Sequence, residues 1–449
     1  MGIVPETDKR IAVIADDLTG ANDTGVQFAK QGLKTVVLMG GDPSSGALEE
    51  DVVVLDSQSR ALPPDEAYEN VARAARRIRS RDFRVVFKKI DSTLRGNIGR
   101  EIDAIMDTCG QEVAIVAPAF PKNGRITVAG YHFLQGAPIE TTEISMDPKC
   151  PITESHVPTL LGKQTARSVG LVGIKSVNAG TEGIRAAMEE LIAEGDRVIV
   201  CDAWEDRHLR MHADAAIGLR RPVLWVGSAG LAECLPQALG LAAAQGGRGS
   251  DRNGAAGKRT VAVFAGSVSN VTRAQLAMLE KRSGVRLIEM DACKVLSPVT
   301  APAEIRRCSD AALEAAEAGQ DIVVSTGYTR AAVDRTLNAA AARGLSIQRT
   351  AEEIASALGV LCREIVAGVD LKGLVLTGGD IALSACSRLS ATGFHVVEEV
   401  APGIPAGRLK GGPCDGLRVV TKAGAFGAED ALCKAVDCLK RERLEGAGR

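Results

Sequence analysis

With 449 residues, 45% of them hydrophobic, and a formal net charge of -2, the chain has length for two or three domains and apolar material for a core in each. An aromatic content of 3% and the near-neutral charge argue against a nucleic-acid partner, which calls for basic patches and stacking rings. No apolar run approaches the roughly 18 to 20 residues of a membrane span, and the N-terminus M-G-I-V-P-E-T-D-K-R lacks a signal peptide's apolar core, so no membrane partner and a cytoplasmic location are expected.

Residues 11–25, I-A-V-I-A-D-D-L-T-G-A-N-D-T-G, open the pattern: a short apolar run meets two aspartates, with a helix expected from about Ala21. A buried parallel strand delivers side chains in this way to the carboxyl edge of an α/β sheet, where ligands bind. Asp16 and Asp17 are therefore candidate site residues, with helix capping as the competing role for one of them. The runs K-T-V-V-L-M and D-V-V-V-L-D continue the α/β alternation, and the second ends in D-S-Q-S-R, placing Ser57, Ser59 and Arg60 at a strand end. A guanidinium there suits a carboxylate, although a lone arginine is equally at home on a surface.

A helix over residues 64–80 leads into R-V-V-F-K-K-I-D-S-T-L-R-G-N-I-G-R-E-I, read as a strand through Ile90, a polar turn and a helix from about Ile98. Lys89, Asp91, Ser92, Thr93, Arg95 and Asn97 crowd that turn, beside a helix N-terminus and with Gly96 permitting close approach. The combination suits a small ligand bearing a carboxylate and hydroxyls. Lys122, Asn123 and Arg125 again follow a strand, and residues 126–161 read as an irregular excursion or small hairpin in which His132 is structural. Glu205, His208 and His212 are spaced for one helix face, read as solvated rather than metal-binding because H-E-x-x-H is absent. Ser228 and Gly230 follow another strand, either to touch a ligand or to pack tightly. The eleven cysteines are odd in number and form no C-x-x-C pair, which favours reduced, mostly buried thiols.

Residues 246–258, rich in glycine and charge, read as a linker between a domain over 1–245 and another over 259–449. G-A-A-G-K-R-T within this stretch is not a P-loop, because the glycine spacing is wrong and Arg259 intrudes. The second half repeats strand, glycine turn and helix: A-G-S-V-S-N with Ser267, S-T-G-Y-T-R, L-T-G-G-D-I with Gly378, Gly379, Asp380 and Ile381, and K-A-G-A-F-G with Lys422, Gly424 and Gly427. Small residues at helix starts cradle phosphate oxygens, so several such turns in one domain favour a nucleotide site. Asp380 is placed to hold Mg2+ or a phosphate-bound water. The fold class expected is α/β, two domains each with a mostly parallel sheet flanked by helices.

I-A-D-D-L-T-G-A-N-D, K-K-I-D-S-T-L-R-G-N, V-A-P-A-F-P-K-N-G-R, A-G-S-V-S-N-V-T, L-T-G-G-D-I-A and K-A-G-A-F-G, in this order over almost the whole chain, resemble the four-carbon acid sugar kinases, once a domain of unknown function. The resemblance implies an N-terminal domain for the sugar acid, a C-terminal domain for ATP with Mg2+, and an active site in the cleft between them. Substrate then falls to Asp16, Arg60 and the turn of Lys89, Ile90, Asp91 and Ser92, with Arg95 beside it; nucleotide falls to Ser267, the turn of Gly378, Gly379, Asp380 and Ile381, and Lys422 with Gly424. The reaction implied is phosphorylation of the 4-hydroxyl of a tetronate, with Asp16 as base and Asp17 as its competitor. The D-S-T-L-R-G-N turn is similar to that of members acting on D-threonate or D-erythronate, with a 3-oxo-tetronate 4-kinase as alternative. More distant readings are a non-catalytic sugar-acid-binding protein and an NAD(P)-dependent dehydrogenase, the latter lacking G-x-G-x-x-G at the first strand. A homo-oligomer is compatible with the sequence, which leaves the oligomeric state open.

Overall fold

The computed structural model describes residues 10–39, 49–79, 83–147, 150–241, 260–266, 269–327, 329–424 and 426–441. The chain divides into two compact units, Met1–Gly246 and Gly247–Arg449. The stretch read as a linker, 246–258, lies outside the described residues, as does the P-loop look-alike apart from Thr260.

In the N-terminal unit, short β-branched runs form β1 (Ile11–Ala15), β2 (Thr35–Met39), β3 (Val52–Asp56), β4 (Val85–Lys89) and β5 (Val113–Ala117). An antiparallel excursion follows, β6 (Arg125–Val128), β7 (Tyr131–Leu134) and β8 (Ala137–Pro138), and then β9 (Val169–Val172), β10 (Val198–Cys201) and β11 (Val223–Gly227). The main strands order as β2-β3-β1-β4-β11-β5-β10-β9, every neighbouring pair parallel. Their residues are almost all buried, which is why they read as continuous apolar runs rather than alternating ones.

Three helices position the site. Helix α1 (Leu18–Lys30) starts before the expected Ala21, because Asp17 is its N-cap and accepts from Gly20 N at 2.6 Å. Helix α2 (Pro64–Arg79) opens on a proline, which has no N–H to leave unpaired there. Helix α3 (Ile98–Cys109) begins where expected and ends on Gly110 in the left-handed region. Ile98, Ile102 and Ile105 of α3 join Ile14, Leu55 and Val226 of the sheet in one core, each full side-chain burial stabilising by about 1.5–3 kcal/mol.

Chain order decides where a ligand fits. The connection leaving β1 runs to one side of the sheet, toward β2, and the connection leaving β4 runs to the other, toward β5. Adjacent strands whose connections diverge open a crevice at their carboxyl ends. Asp16 and Lys89 stand at those ends.

In the C-terminal unit, β12 (Thr260–Ala265), β13 (Val285–Glu289), β14 (Asp321–Ser325), β15 (Leu371–Thr377), β16 (Gly393–Ala401), β17 (Ile404–Lys410) and β18 (Arg418–Lys422) order as β13-β14-β12-β15-β18-β17-β16. The strands from β13 to β18 pair in parallel, but β16 and β17 form an antiparallel hairpin that the sequence reading did not single out. Connections diverge again between β12 and β15, whose ends carry Gly266 and Gly378. Among the described residues no helix is long and apolar enough to cross a membrane.

Candidate functional site

The parallel register Ala15↔Asp56 sets the loop after β1 beside the loop after β3. Arg60 reaches across: Nε donates to Asp16 Oδ2 at 2.7 Å, Nη2 to Asp16 Oδ1 at 3.0 Å and Nη1 to Asp17 Oδ2 at 2.6 Å. Backbone N–H groups of Ser59 and Arg60 both donate to Asp16 O, so the clamp is fixed from both ends. Burial would raise the Asp16 carboxyl, but Arg60 and then Lys88 outweigh it and hold it below its ordinary value. For Asp17, burial and the Asp16 charge win over Arg60 and raise it. The two also differ in access, with side chains 2% and 28% exposed. Lys89 Nζ donates to Ile90 O at 2.9 Å and occupies room left by Gly20, where a Cβ would stand 3.0 Å from it and 2.8 Å from Asp17 Oδ1.

Opposite lies the turn after β4. Arg95 Nε donates to Asp91 Oδ2 at 2.6 Å and Nη1 to Asp147 Oδ2 at 2.9 Å, while Thr93 Oγ1 also donates to Asp91. Burial pushes the Asp91 carboxyl up, but Arg60 and Arg95 together hold it well below the usual range. Gly96 turns at φ +102, and a Cβ there would crowd Arg60 Cγ at 3.3 Å. Asn97 ties this turn to the Arg60 loop through Leu62 O at 2.9 Å. His132, fully buried on β7, bridges Ser92 O through Nε2 at 2.9 Å and Thr127 Oγ1 through Nδ1 at 3.0 Å. A carbonyl only accepts, so Nε2 carries the proton and Nδ1 accepts from the threonine; burial drops the ring to about 4, keeping it neutral.

Beneath the turn, Lys88 and Glu101 form a fully buried ion pair at 2.7 Å, and Ser59 Oγ donates to Glu101 Oε1. Sequence reasoning missed this pair and Asp147. The signal was present: V-V-F-K-K gives two adjacent lysines in an apolar strand, which must face opposite ways and each find a buried partner. Asp56 was also passed over. Burial, with the Asp17 charge, raises its carboxyl to about 7, and its Oδ2 is buried without a partner among the described residues.

The C-terminal unit builds its candidate site from backbone. Gly378 adopts φ +105, open to glycine and strained for other residues, and precedes the helix Gly379–Arg388 without a side-chain cap. Asp380 lies in that helix's first turn. A Cβ on Gly266 would stand 2.9 Å from Ile381 Cδ1, so the end of β12 packs directly on the 378–381 turn. Thr377 Oγ1 is buried beside it without a partner among the described residues. Lys422 holds this region together: its backbone O accepts from Gly378 N at 2.8 Å, and its Nζ donates to Ala423 O, Gly424 O and Phe426 O at 2.7, 3.2 and 3.1 Å. Burial pulls that ammonium down to about 8. Ser267 lies outside the described residues.

The structure defines the surroundings of several of these residues and overturns one expectation, the solvated histidine face. Of Arg60, Lys89 and Arg95, the candidates to hold a substrate carboxylate, the two arginines are engaged by the protein's own carboxylates and Lys89 Nζ donates to Ile90 O. Lys422 points into its own loop. His208 and His212 are buried rather than solvated: His212 Nε2 pairs with Asp202 O at 2.7 Å and His208 packs edge-on against Trp204, because the helix Asp206–Gly218 turns that face inward. Of the two roles open to Ser228 and Gly230, the structure shows tight packing: Ser228 Oγ donates to Ala119 O, and a Cβ on Gly230 would stand 2.7 Å from that same oxygen. All eleven cysteines are free thiols. Among the described residues no three His, Cys, Asp or Glu side chains gather to hold a metal.

Two family models match the chain, a sugar-binding N-terminal domain over residues 11–235 and a nucleotide-binding C-terminal domain over residues 262–432. The chain is 37% identical to a D-threonate kinase of Salmonella typhimurium over 95% of its own length and 97% of that protein. It is 34% identical to a D-erythronate kinase of Heliobacterium modesticaldum over 96% and 97%. A crystal structure from Salmonella typhimurium LT2, bearing a provisional tRNA-synthase label, superposes with a TM-score of 0.80 at 26% identity, covering 95% of this chain and 98% of that one. Two matching domain models and full-length identity at this level, on a sheet whose strand ends gather these residues, make the chain a member of the four-carbon acid sugar kinase family.

Proposed function

We propose that this protein transfers the γ-phosphoryl group of ATP to the 4-hydroxyl of D-threonate or D-erythronate, the N-terminal unit taking the acid and the C-terminal unit the nucleotide. The observation that carries the reading is the Asp16–Arg60–Asp17 clamp at the divergence of β1 and β4, facing the Lys89–Arg95 turn. Full-length relatives named for D-threonate and D-erythronate supply the substrate class.

Phosphoryl transfer asks for positioning and charge neutralisation rather than covalent catalysis. Asp17 is the better base of the aspartate pair. It is the more exposed, and its proton affinity is raised, whereas Asp16 is held charged by both arms of one guanidinium. Asp16 orients Arg60, which orients Asp17. The 378–381 turn, with its glycine backbone and uncapped helix start, suits phosphate oxygens. Mg2+ fits as a cation carried on the nucleotide with few protein ligands, Asp380 and Thr377 Oγ1 being the groups at hand, and it would neutralise phosphate charge during transfer.

The test is a coupled ADP-release screen with Mg2+-ATP against both enantiomers of threonate and erythronate and against 3-oxo-tetronates. Turnover of a tetronate is expected. Turnover of the 3-oxo acids alone would move the assignment to that substrate, and turnover of none would refute it.

A further inference from the structure

The arginines of the N-terminal site are in different states. Arg60 and Arg95 each engage two carboxylates. Arg125 engages none among the described residues: its Nη1 donates to the carbonyl of Asn123, its Nε is buried without a partner there, and no described side-chain acid pairs with it. Its backbone is fixed, paired with Phe120 in both directions and with Leu134 across β6 and β7. Its strand β6 pairs with β7, whose His132 holds Ser92 O of the turn after β4, and the half-buried guanidinium feels the fields of Asp91 and Asp23 and is opposed by Arg95. A partly desolvated cation without a counter-ion is costly to keep, and a planar fork of N–H donors is the shape that a carboxylate satisfies.

We propose that Arg125 receives the carboxylate of the sugar acid and so selects acids over neutral polyols of the same length. This rests on the sugar-acid reading above. Arg60 and Arg95 then act as positioning residues for Asp16, Asp17 and Asp91, and the antiparallel excursion β6–β8 becomes the element that carries the specificity-determining residue.

The experiment compares wild type, Arg125→Met and Arg125→Lys by steady-state ADP release, with the best tetronate and with the tetritol in which CH2OH replaces the carboxylate. Loss of one charge-assisted contact should raise KM for the acid by about 10- to 100-fold in Arg125→Met, leave KM for ATP unchanged, and shrink the preference for acid over tetritol by the same factor. Arg125→Lys should restore part of it. The unliganded melting temperature of Arg125→Met should hold or rise, since the variant removes an unpaired cation, while the rise that tetronate gives in wild type should vanish. An unchanged acid-over-tetritol preference in Arg125→Met would overturn the assignment. So would a joint rise in both KM values with a lowered melting temperature, which marks a scaffold role. If wild type neither turns over nor is stabilised by any tetronate, the sugar-acid reading itself fails, an outcome that wild type alone decides.

Discussion

The two units place candidate ligand-binding groups at equivalent points of their sheets by opposite means. At β1 and β4 the N-terminal unit spends charged side chains on one another: Asp16 and Asp17 on Arg60, Asp91 and Asp147 on Arg95, Glu101 on Lys88. At β12 and β15 the C-terminal unit relies on glycine geometry, an uncapped helix start and a lysine turned into its own loop. A small polyhydroxy acid offers stereochemistry that side chains can read, and holding several of them without relaxation requires saturated ion pairs. A phosphate chain offers repeated oxygens that backbone N–H groups can meet.

The largest effect should come from the base. Asp17→Asn keeps the helix cap, because asparagine caps as well as aspartate, yet cannot accept the proton. A fall in kcat of about 100- to 10,000-fold with little change in melting temperature is expected in the ADP-release assay; a retained kcat would pass the role to Asp16. Next, Arg60→Met leaves the buried Asp16 and the partly exposed Asp17 without their cation. Denaturant titration should show a loss of about 3–5 kcal/mol, and a loss below 1 kcal/mol would mean that the side-chain network is less tightly coupled than its geometry indicates.

Acid should also separate the units. His132 is depressed from its ordinary 6.5 to about 4 by burial, so the unfolded chain binds a proton that the folded one refuses. Its contribution is fully present above pH 6.5 and is lost as pH falls from there to about 4, by at most about 3 kcal/mol. His212, also near 4 through burial, adds a slope of the same sign in the same unit. His132→Gln, which keeps a donor for Ser92 O, should flatten its part of the slope, as read from melting temperatures at pH 4 to 7. The smallest effect is expected at the nucleotide turn: Gly378→Ala meets no atom closer than Ile381 Cδ1 at 3.6 Å, so its cost is the strain of φ +105, about 1–2 kcal/mol. A rise in KM for ATP without one for the acid would sharpen the division of labour between the units, and the reverse would break it.

The C-terminal turns were legible because backbone requirements are written locally: Gly378 announces a positive φ and an apolar run before it announces a strand. The N-terminal site was legible only as a list. Asp16, Asp17, Arg60, Lys89 and Asp91 were named correctly as neighbours of strand ends, but the partners that fix the site lie far along the chain, 44 residues between Asp16 and Arg60 and 52 between Arg95 and Asp147, and depend on which strands are adjacent. Hence Arg60 and Arg95 were read as open to a ligand when Asp16, Asp17, Asp91 and Asp147 already engage them, and Arg125, read only as polar, keeps a buried Nε without a partner among the described residues. The helix Asp206–Gly218 was misjudged for a related reason, since histidine spacing gives the face but not the direction in which it packs.

By itself the sequence determined the α/β class, the repeating strand, turn and helix, and the residue types gathered at each strand end, because hydrophobic periodicity and turn chemistry act over a few residues. Only the tertiary structure decided which charges cancel. Strand order brings Asp16 to Arg60 and leaves Arg125 without a carboxylate among the described residues, and ion pairing depends on distance in space rather than along the chain.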